Sequence, residues 1–102
     1  MIRKKVERIE LKDNESYELF VKNNERRFWD LIIETIERLS EDEEENVLTA
    51  FIVYGGKLKT DREIIVQRSG IDEIIENALV KMELYEEYEM CERLIKLRDK
   101  FN

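Results

Sequence analysis

The chain has 102 residues, of which 42% are hydrophobic and 42% are charged, and its formal net charge is -7. This length supports one domain with a modest core, and the apolar and aromatic content excludes a disordered acidic chain. Histidine is absent and Cys91 is the single cysteine, which excludes zinc sites, Ser-His-Asp triads, Cys-His nucleophiles and intramolecular disulfides.

The sequence also bears on location and domain organisation. The N-terminal residues are basic but lack the apolar segment of a secretion signal, and no window approaches the roughly 18 apolar residues that a membrane span needs. We therefore expect a cytoplasmic protein that does not associate with membranes. No proline and no low-complexity linker interrupts the chain, so residues 1–102 are expected to form a single domain.

The first part of the chain predicts a strand and then a helix. Residues 4–11 are short, charged and loosely alternating, which indicates an edge strand. Residues 15–39 have apolar side chains at spacings of three and four, which predicts an amphipathic helix that Asn14 or Ser16 can cap. The asparagine pair at 23–24 can divide this helix in two. The apolar positions are Phe20, Phe28, Leu31, Ile32, Thr35, Ile36 and Leu39.

The middle of the chain predicts a β-hairpin. Residues 47–54 are mostly β-branched and aromatic, and the glycine pair 55–56 separates them from a second apolar run at 64–66. β-branched side chains fit a pleated surface better than a helix interior, so strand, turn and strand are favoured. In the alternative, Ser40 and Glu43 form a helical capping box and the glycine pair ends that helix. The fold would then be an all-α bundle.

The last third of the chain predicts a helical hairpin. Apolar residues recur at helical spacing on both sides of residues 85–87. A single helix over 71–101 would be about 45 Å long, beyond the roughly 26 Å breadth of a compact domain of this size. Ser69 or Asp72 can cap the first helix. The core-facing residues are Ile71, Ile74, Ile75, Ala78, Leu79, Met82, Met90, Leu94, Leu97 and Phe101. The whole pattern predicts an α+β fold.

Residues 78–99 resemble the UVR-type helical hairpin of excision-repair nuclease subunits and some kinase activators. The resemblance rests on the pair Tyr88-Glu89, on the small residue Cys91, on Leu94 and on the pair Arg98-Asp99. Glu92 stands where the family has a second small residue, and Arg98-Asp99 comes one helical turn later than in the family. The resemblance implies a hairpin that docks onto another protein, and no activity is carried over from it.

The strongest functional signal is an acidic surface that contains tyrosines. Residues 72–92 carry eight acids and one lysine. Such surfaces suit docking onto a basic groove, including one that normally holds nucleic acid. In the alternative, the acids are the solvated side of a helix and the tyrosines pack inward. The candidate partner-binding residues are Glu76, Glu83, Tyr85, Glu86, Glu87, Tyr88 and Glu89.

Two other candidate sites are interpreted as structural. Cys91 lies on an apolar face among acids, which predicts a buried thiol with a raised pKa rather than a nucleophile. The acidic run 41–45 is contiguous in sequence, whereas a metal site needs carboxylates that converge from different positions. We interpret the run as solvated surface.

These observations predict a non-enzymatic binding protein with no catalytic residue, cofactor site or metal site. We expect it to inhibit or modulate a host or defence protein that handles nucleic acid. In size, acidity and lack of histidine the chain is similar to proteins encoded by phages and mobile elements. Two alternatives stay open. One is a homodimeric assembly or regulatory subunit whose C-terminal helices pair, and the other is a nucleic-acid-binding regulator using residues 3–12 and 57–68, which the net acidity disfavours.

Overall fold

The computed structural model describes residues 6–59 and 61–101, which form an α+β fold. The elements in chain order are β1 (Glu7–Leu11), α1 (Tyr17–Asn23), α2 (Glu25–Glu41), β2 (Val47–Gly55), β3 (Arg62–Gln67), a 3₁₀ turn (Arg68–Gly70), α3 (Ile71–Leu84) and α4 (Tyr88–Phe101). This order confirms the predicted fold class, and the all-α alternative is wrong. Residues 4–5 of the predicted first strand lie outside the described residues.

The three strands form one sheet in the order β1-β2-β3. β1 is parallel to β2, with Ile9 opposite Val53, and β2 is antiparallel to β3, with Phe51 opposite Ile64. Parallel neighbours need a crossover connection, which α1 and α2 supply. The hairpin predicted from the glycine pair is therefore present, and β1 and β3 are the two edge strands.

A bulge in β2 explains why its apolar residues do not alternate in the sequence. Thr49 lies opposite Ile65 and Phe51 lies opposite Ile64, so Ala50 is one extra residue in β2. The phase of alternation shifts at this point, and the larger apolar side chains on both sides of the bulge reach the same face of the sheet.

The helices cover one face of the sheet. α2 packs against β2 and β3, and α3 and α4 pack against each other and against α2. Thr35 is the one polar residue that is buried in the described core, and its hydroxyl donates to the carbonyl oxygen of Leu31 at 2.7 Å. The largest fully buried side chains are Phe51, Ile33, Ile36, Leu39, Ile71, Ile75, Met82, Leu94, Val53, Val66 and Thr35. The predicted apolar faces of the helices are confirmed.

Among residues 6–59 and 61–101, no side chain on the other face of the sheet is buried, and we call this face the open face. The strand registers place on it Arg8, Glu10, Val47, Thr49, Ile52, Tyr54, Glu63, Ile65 and Gln67. Arg8 stacks on the ring of Tyr54, 5.2 Å from its centroid. The Tyr54 hydroxyl donates to the carboxylate of Glu10 at 3.4 Å. The open face is thus a mixed surface of charged, polar and apolar groups.

The first helical segment is divided where the asparagine pair predicted. Asn24 lies between α1 and α2, and its side-chain amide donates to the carbonyl oxygen of Phe20 at 2.9 Å. Ser16 caps α1 by accepting a hydrogen bond from the backbone N–H of Leu19 at 3.2 Å. One of the two predicted caps is therefore confirmed.

The start of α3 differs from the prediction. Neither Ser69 nor Asp72 is the cap, because the 3₁₀ turn Arg68–Gly70 leads directly into the helix and Gly70 occupies the N-cap position. Within the described part of the chain, no helix is long and apolar enough to cross a membrane.

Candidate functional site

A tight turn at 85–87 joins α3 to α4 at the predicted position. The N–H of Glu87 donates to the carbonyl of Met82 at 2.8 Å, and the N–H of Glu86 donates to that of Glu83 at 3.0 Å. This pair of bonds is a Schellman motif, which needs a left-handed residue just after the helix. Glu86 takes that position with φ 58°. Glycine is the usual residue there because it lacks a Cβ, so a glutamate is held at a costly position.

The turn exposes apolar groups together with acids. Leu84 is 71% exposed and Tyr88 is 63% exposed. The acids Glu83, Glu86 and Glu89 are also exposed, and their carboxylates form no ion pair or hydrogen bond with any residue that the structure describes. We call these five residues the hairpin tip.

Two ion pairs hold the base of the hairpin tip against the first turn of α2. The guanidinium of Arg26 donates to the carboxylate of Glu87 at 2.5 Å, and the ammonium of Lys81 pairs with Glu25. The hydrogen bond from Lys81 lowers the pKa of Glu25, and the same bond raises the pKa of Lys81. The hydrogen bond with Glu87 is the main cause that raises the pKa of Arg26. The two ion pairs therefore fix the turn relative to α2.

Four of the seven candidate partner-binding residues lie at the hairpin tip, namely Glu83, Glu86, Tyr88 and Glu89. The fifth member of the tip, Leu84, was not predicted, because the candidate residues were chosen for acids and tyrosines. Its position carried a usable signal. The buried residues of α3 stand at 71, 75, 78 and 82, and position 84 does not fall on that face.

The other three candidates contact the rest of the chain. Glu76 accepts a hydrogen bond from Arg98 at 2.9 Å. It also lies eight residues before the end of α3, about 12 Å along the helix axis. Glu87 forms the ion pair with α2 described above. The pKa of Tyr85 is raised, first by burial and then by the charge of Glu25. These side chains position the tip rather than belong to it.

No family model matches the chain, and neither the curated proteins nor the solved structures gave a match to it. The resemblance of residues 78–99 to the UVR-type hairpin therefore stays a prediction. Two of the residues that carry that resemblance have structural roles here, since Leu94 is buried and Arg98 binds Glu76.

Cys91 and the acidic run 41–45 are the two sites that the sequence analysis interprets as structural. Cys91 is half-buried, and the pKa of its thiol is raised, first by burial and then by the charge of Glu83. The nucleophilic thiolate is thus disfavoured at neutral pH. In the acidic run 41–45, the carboxylate of Asp42 accepts the backbone N–H of Glu44 at 3.2 Å. No group of three or more described acidic or cysteine side chains is placed to hold a metal ion.

Some of the basic residues that a nucleic-acid-binding regulator would use already contact other groups of the chain. Arg68 donates to three backbone carbonyls between residues 39 and 45, at 2.8–3.0 Å for the closest bonds. Arg62 stacks on a tyrosine ring with 4.4 Å to its centroid. Lys57 and Lys59 are exposed in the turn between β2 and β3. The basic residues Arg3, Lys4 and Lys5 lie outside the described residues.

In the homodimer alternative, the C-terminal helices of two chains pair. The structure buries the apolar face of these helices within one chain. Leu94 is 0% exposed and Leu97 is 7% exposed. The monomer core thus already uses the face through which that alternative pairs the C-terminal helices.

Proposed function

We propose that this chain is a non-enzymatic binding protein whose hairpin tip docks onto a basic surface of another protein. The observation that carries the proposal is the exposure of Leu84 and Tyr88, at 71% and 63%, among three carboxylates that form no ion pair or hydrogen bond with a described residue. An aromatic and an aliphatic anchor surrounded by polar groups is the usual composition of a protein interface.

The two kinds of side chain have separate roles in docking. Fully burying a large apolar side chain contributes about 1.5–3 kcal/mol, so Leu84 and Tyr88 supply the main favourable contact. Glu83, Glu86 and Glu89 add a local negative potential that speeds encounter with a basic partner and selects against acidic ones. Affinity therefore depends on the apolar anchors, and partner choice depends on the acids.

A groove that normally holds nucleic acid is the partner surface that fits these groups best. Such grooves combine basic side chains that contact phosphates with surfaces on which planar bases stack. The hairpin tip likewise combines negative charge, from Glu83, Glu86 and Glu89, with the exposed planar ring of Tyr88. In this proposal the chain competes with nucleic acid for the groove and so inhibits or modulates a protein that handles nucleic acid.

The backbone at Glu86 supports the same assignment. A left-handed conformation costs an L-residue about 1–2 kcal/mol, and a glycine at this position would avoid that cost. Local conflicts between sequence and backbone occur more often at functional sites than elsewhere. A carboxylate that contacts the partner gives a reason for the glutamate.

Capture followed by competition tests the proposal. Tagged protein is used to isolate partners from a lysate of its native host, and the partners are identified by mass spectrometry. DNA and RNA oligonucleotides are then added to the captured complex. We expect one stoichiometric partner that nucleic acid releases and that raised salt weakens. A partner that holds nucleic acid and this chain simultaneously would contradict the competition, and retention of no second protein would contradict docking.

A further inference from the structure

β1 is an edge strand whose outer side has no partner in the described structure. β2 is its neighbour in the sheet. Among residues 6–59 and 61–101, no backbone hydrogen bond joins the outer edge of β1 to another element. Such an edge presents a row of N–H and carbonyl groups, and proteins cover or protect these groups or use them for pairing.

We propose that β1 pairs antiparallel with β1 of a second copy of this chain, about a two-fold axis at Ile9. In this register Arg8 of each copy lies directly opposite Glu10 of the other. Residues directly opposite each other share a face, so both Arg8–Glu10 pairs lie on the open face. The two sheets become one continuous sheet. The interface uses no residue of the hairpin tip, so it is independent of the proposed docking function.

The charges on β1 select this register. The residues of β1 on the open face are Arg8 and Glu10. If the axis moved to position 8, the two copies of Arg8 would face each other, and at position 10 the two copies of Glu10 would do so. Like charges directly opposite each other are unfavourable across strands. The axis at Ile9 is the one that matches both residues with the opposite charge.

The two charged side chains of β1 on the open face are accessible to a second copy. Arg8 and Glu10 are both exposed. Arg8 lies 5.2 Å from the ring centroid of Tyr54, and the hydroxyl of Tyr54 donates to Glu10 at 3.4 Å. One tyrosine of β2 therefore contacts both charged groups, which reduces the side-chain entropy that pairing would otherwise cost.

The other edge strand lacks this complementarity. β3 places Glu63, Ile65 and Gln67 on the open face. None of these three residues is basic, so a second copy of β3 offers Glu63 no opposite charge. We therefore assign the pairing to β1.

Two single charge reversals test the proposed dimer. Sedimentation equilibrium over a concentration series should give a mass that rises from 12.4 kDa towards twice that value. Arg8→Glu and Glu10→Arg each place like charges opposite each other at both sites, and each should weaken dimerisation about tenfold. An equimolar mixture of the two variants should restore association, because the acidic edge of one then faces the basic edge of the other.

Control variants separate this interface from others. Glu63→Arg changes the same type of charge on the open face at the opposite edge, and it should leave dimerisation unchanged. Far-UV circular dichroism checks that every variant keeps its fold. A wild type that stays at 12.4 kDa at every concentration overturns the proposal. A dimer that neither β1 variant weakens, or that Glu63→Arg weakens more than they do, also overturns it.

Discussion

The guanidinium of Arg68 donates a hydrogen bond of 3.0 Å to the carbonyl oxygen of Leu39, at the C-terminal end of α2. It also donates to the carbonyl oxygens of Asp42 and Glu45, each at 2.8 Å. The last carbonyls of a helix lack partners within the helix, and a cation is favourable at that end. One side chain from the 3₁₀ turn before α3 therefore holds the end of α2 and the loop that leads into β2.

Removal of this guanidinium is expected to destabilise the fold. Arg68→Met should lower the free energy of unfolding by about 2–3 kcal/mol, because partly buried carbonyls lose a charged donor. Arg68→Lys should recover only part of the loss, because an ammonium cannot reproduce the planar arrangement of donors. Urea unfolding measures both variants. The exposed Lys57→Met is the control, with an expected change within about 0.5 kcal/mol. An Arg68→Met variant as stable as the control would show that other contacts hold the loop.

Gly56, directly after β2, and Gly70, before α3, are predicted to respond very differently to substitution by alanine. Gly56 has φ 76°, and a Cβ there would lie 2.6 Å from the carbonyl oxygen of Glu15 and 2.9 Å from the Cβ of Leu11. Gly56→Ala should lower the free energy of unfolding by about 2–4 kcal/mol, from the left-handed backbone and the clash together. At Gly70 no described atom lies within 4 Å of an added Cβ, so Gly70→Ala should cost at most about 1 kcal/mol, from the weaker N-cap of α3 alone. Thermal unfolding compares the two, and equal effects would contradict this explanation.

Replacement of Glu86 by glycine is expected to raise stability and to weaken binding. Glu86→Gly should raise the free energy of unfolding by about 0.5–1 kcal/mol, because glycine adopts the left-handed conformation without steric cost. The same variant should weaken capture of the partner, because it removes a carboxylate of the hairpin tip. Glu86→Asn tolerates this backbone better than glutamate, so its stability should lie between the two. A glycine variant that is less stable than the wild type would show that the glutamate side chain makes a stabilising contact.

The Glu25–Lys81 pair predicts how stability depends on pH. The pKa of Glu25 is lowered, so its contribution is complete above the ordinary value of 4.5 and is lost as the pH falls through the lowered value. The pKa of Lys81 is raised, so its contribution is complete below the ordinary value of 10.5 and is lost as the pH rises further. The pair thus stabilises the fold between these limits.

Lys81→Met tests that dependence, because it keeps most of the apolar stem and removes the charge. The variant should be less stable than the wild type at neutral pH, and the difference should shrink in strong acid, where Glu25 is protonated. Urea unfolding at both pH values measures the difference. A difference that does not change with pH would mean that the variant loses packing rather than an ion pair.

The elements of the fold were predictable from the sequence because several local signals agreed. Glycines at 55–56, β-branched residues before them and helical spacing in the last third all pointed to the same fold. The pairing partner of β1 was not predictable, because a short charged strand specifies neither its neighbour nor its direction. The bulge at Ala50 was also missed, since it is defined only by the register of β3 on β2.

The candidate site was predictable in part. Helical spacing on both sides of residues 85–87 and the dense acids around them located the hairpin tip. The sequence did not separate Glu83, whose carboxylate forms no ion pair or hydrogen bond with a described residue, from Glu87, which binds Arg26. The two residues belong to the same acidic stretch, and their difference arises from a contact with α2, about sixty positions earlier in the chain. The role of Arg68 was not predictable either, because its partners are backbone carbonyls, which a charge pattern does not reveal.

The central claim is that the hairpin tip, and not acidity in general, binds the partner. Its most direct test measures the affinity of the isolated partner for two charge-reversal variants with the same change in net charge. One variant replaces Glu83, Glu86 and Glu89 by lysine, and the other replaces Glu41, Glu43 and Glu44, which are exposed in the acidic run 41–45. We predict that the first variant loses binding and that the second keeps affinity close to the wild type. Equal losses in both variants, or full binding by the first, would contradict the claim.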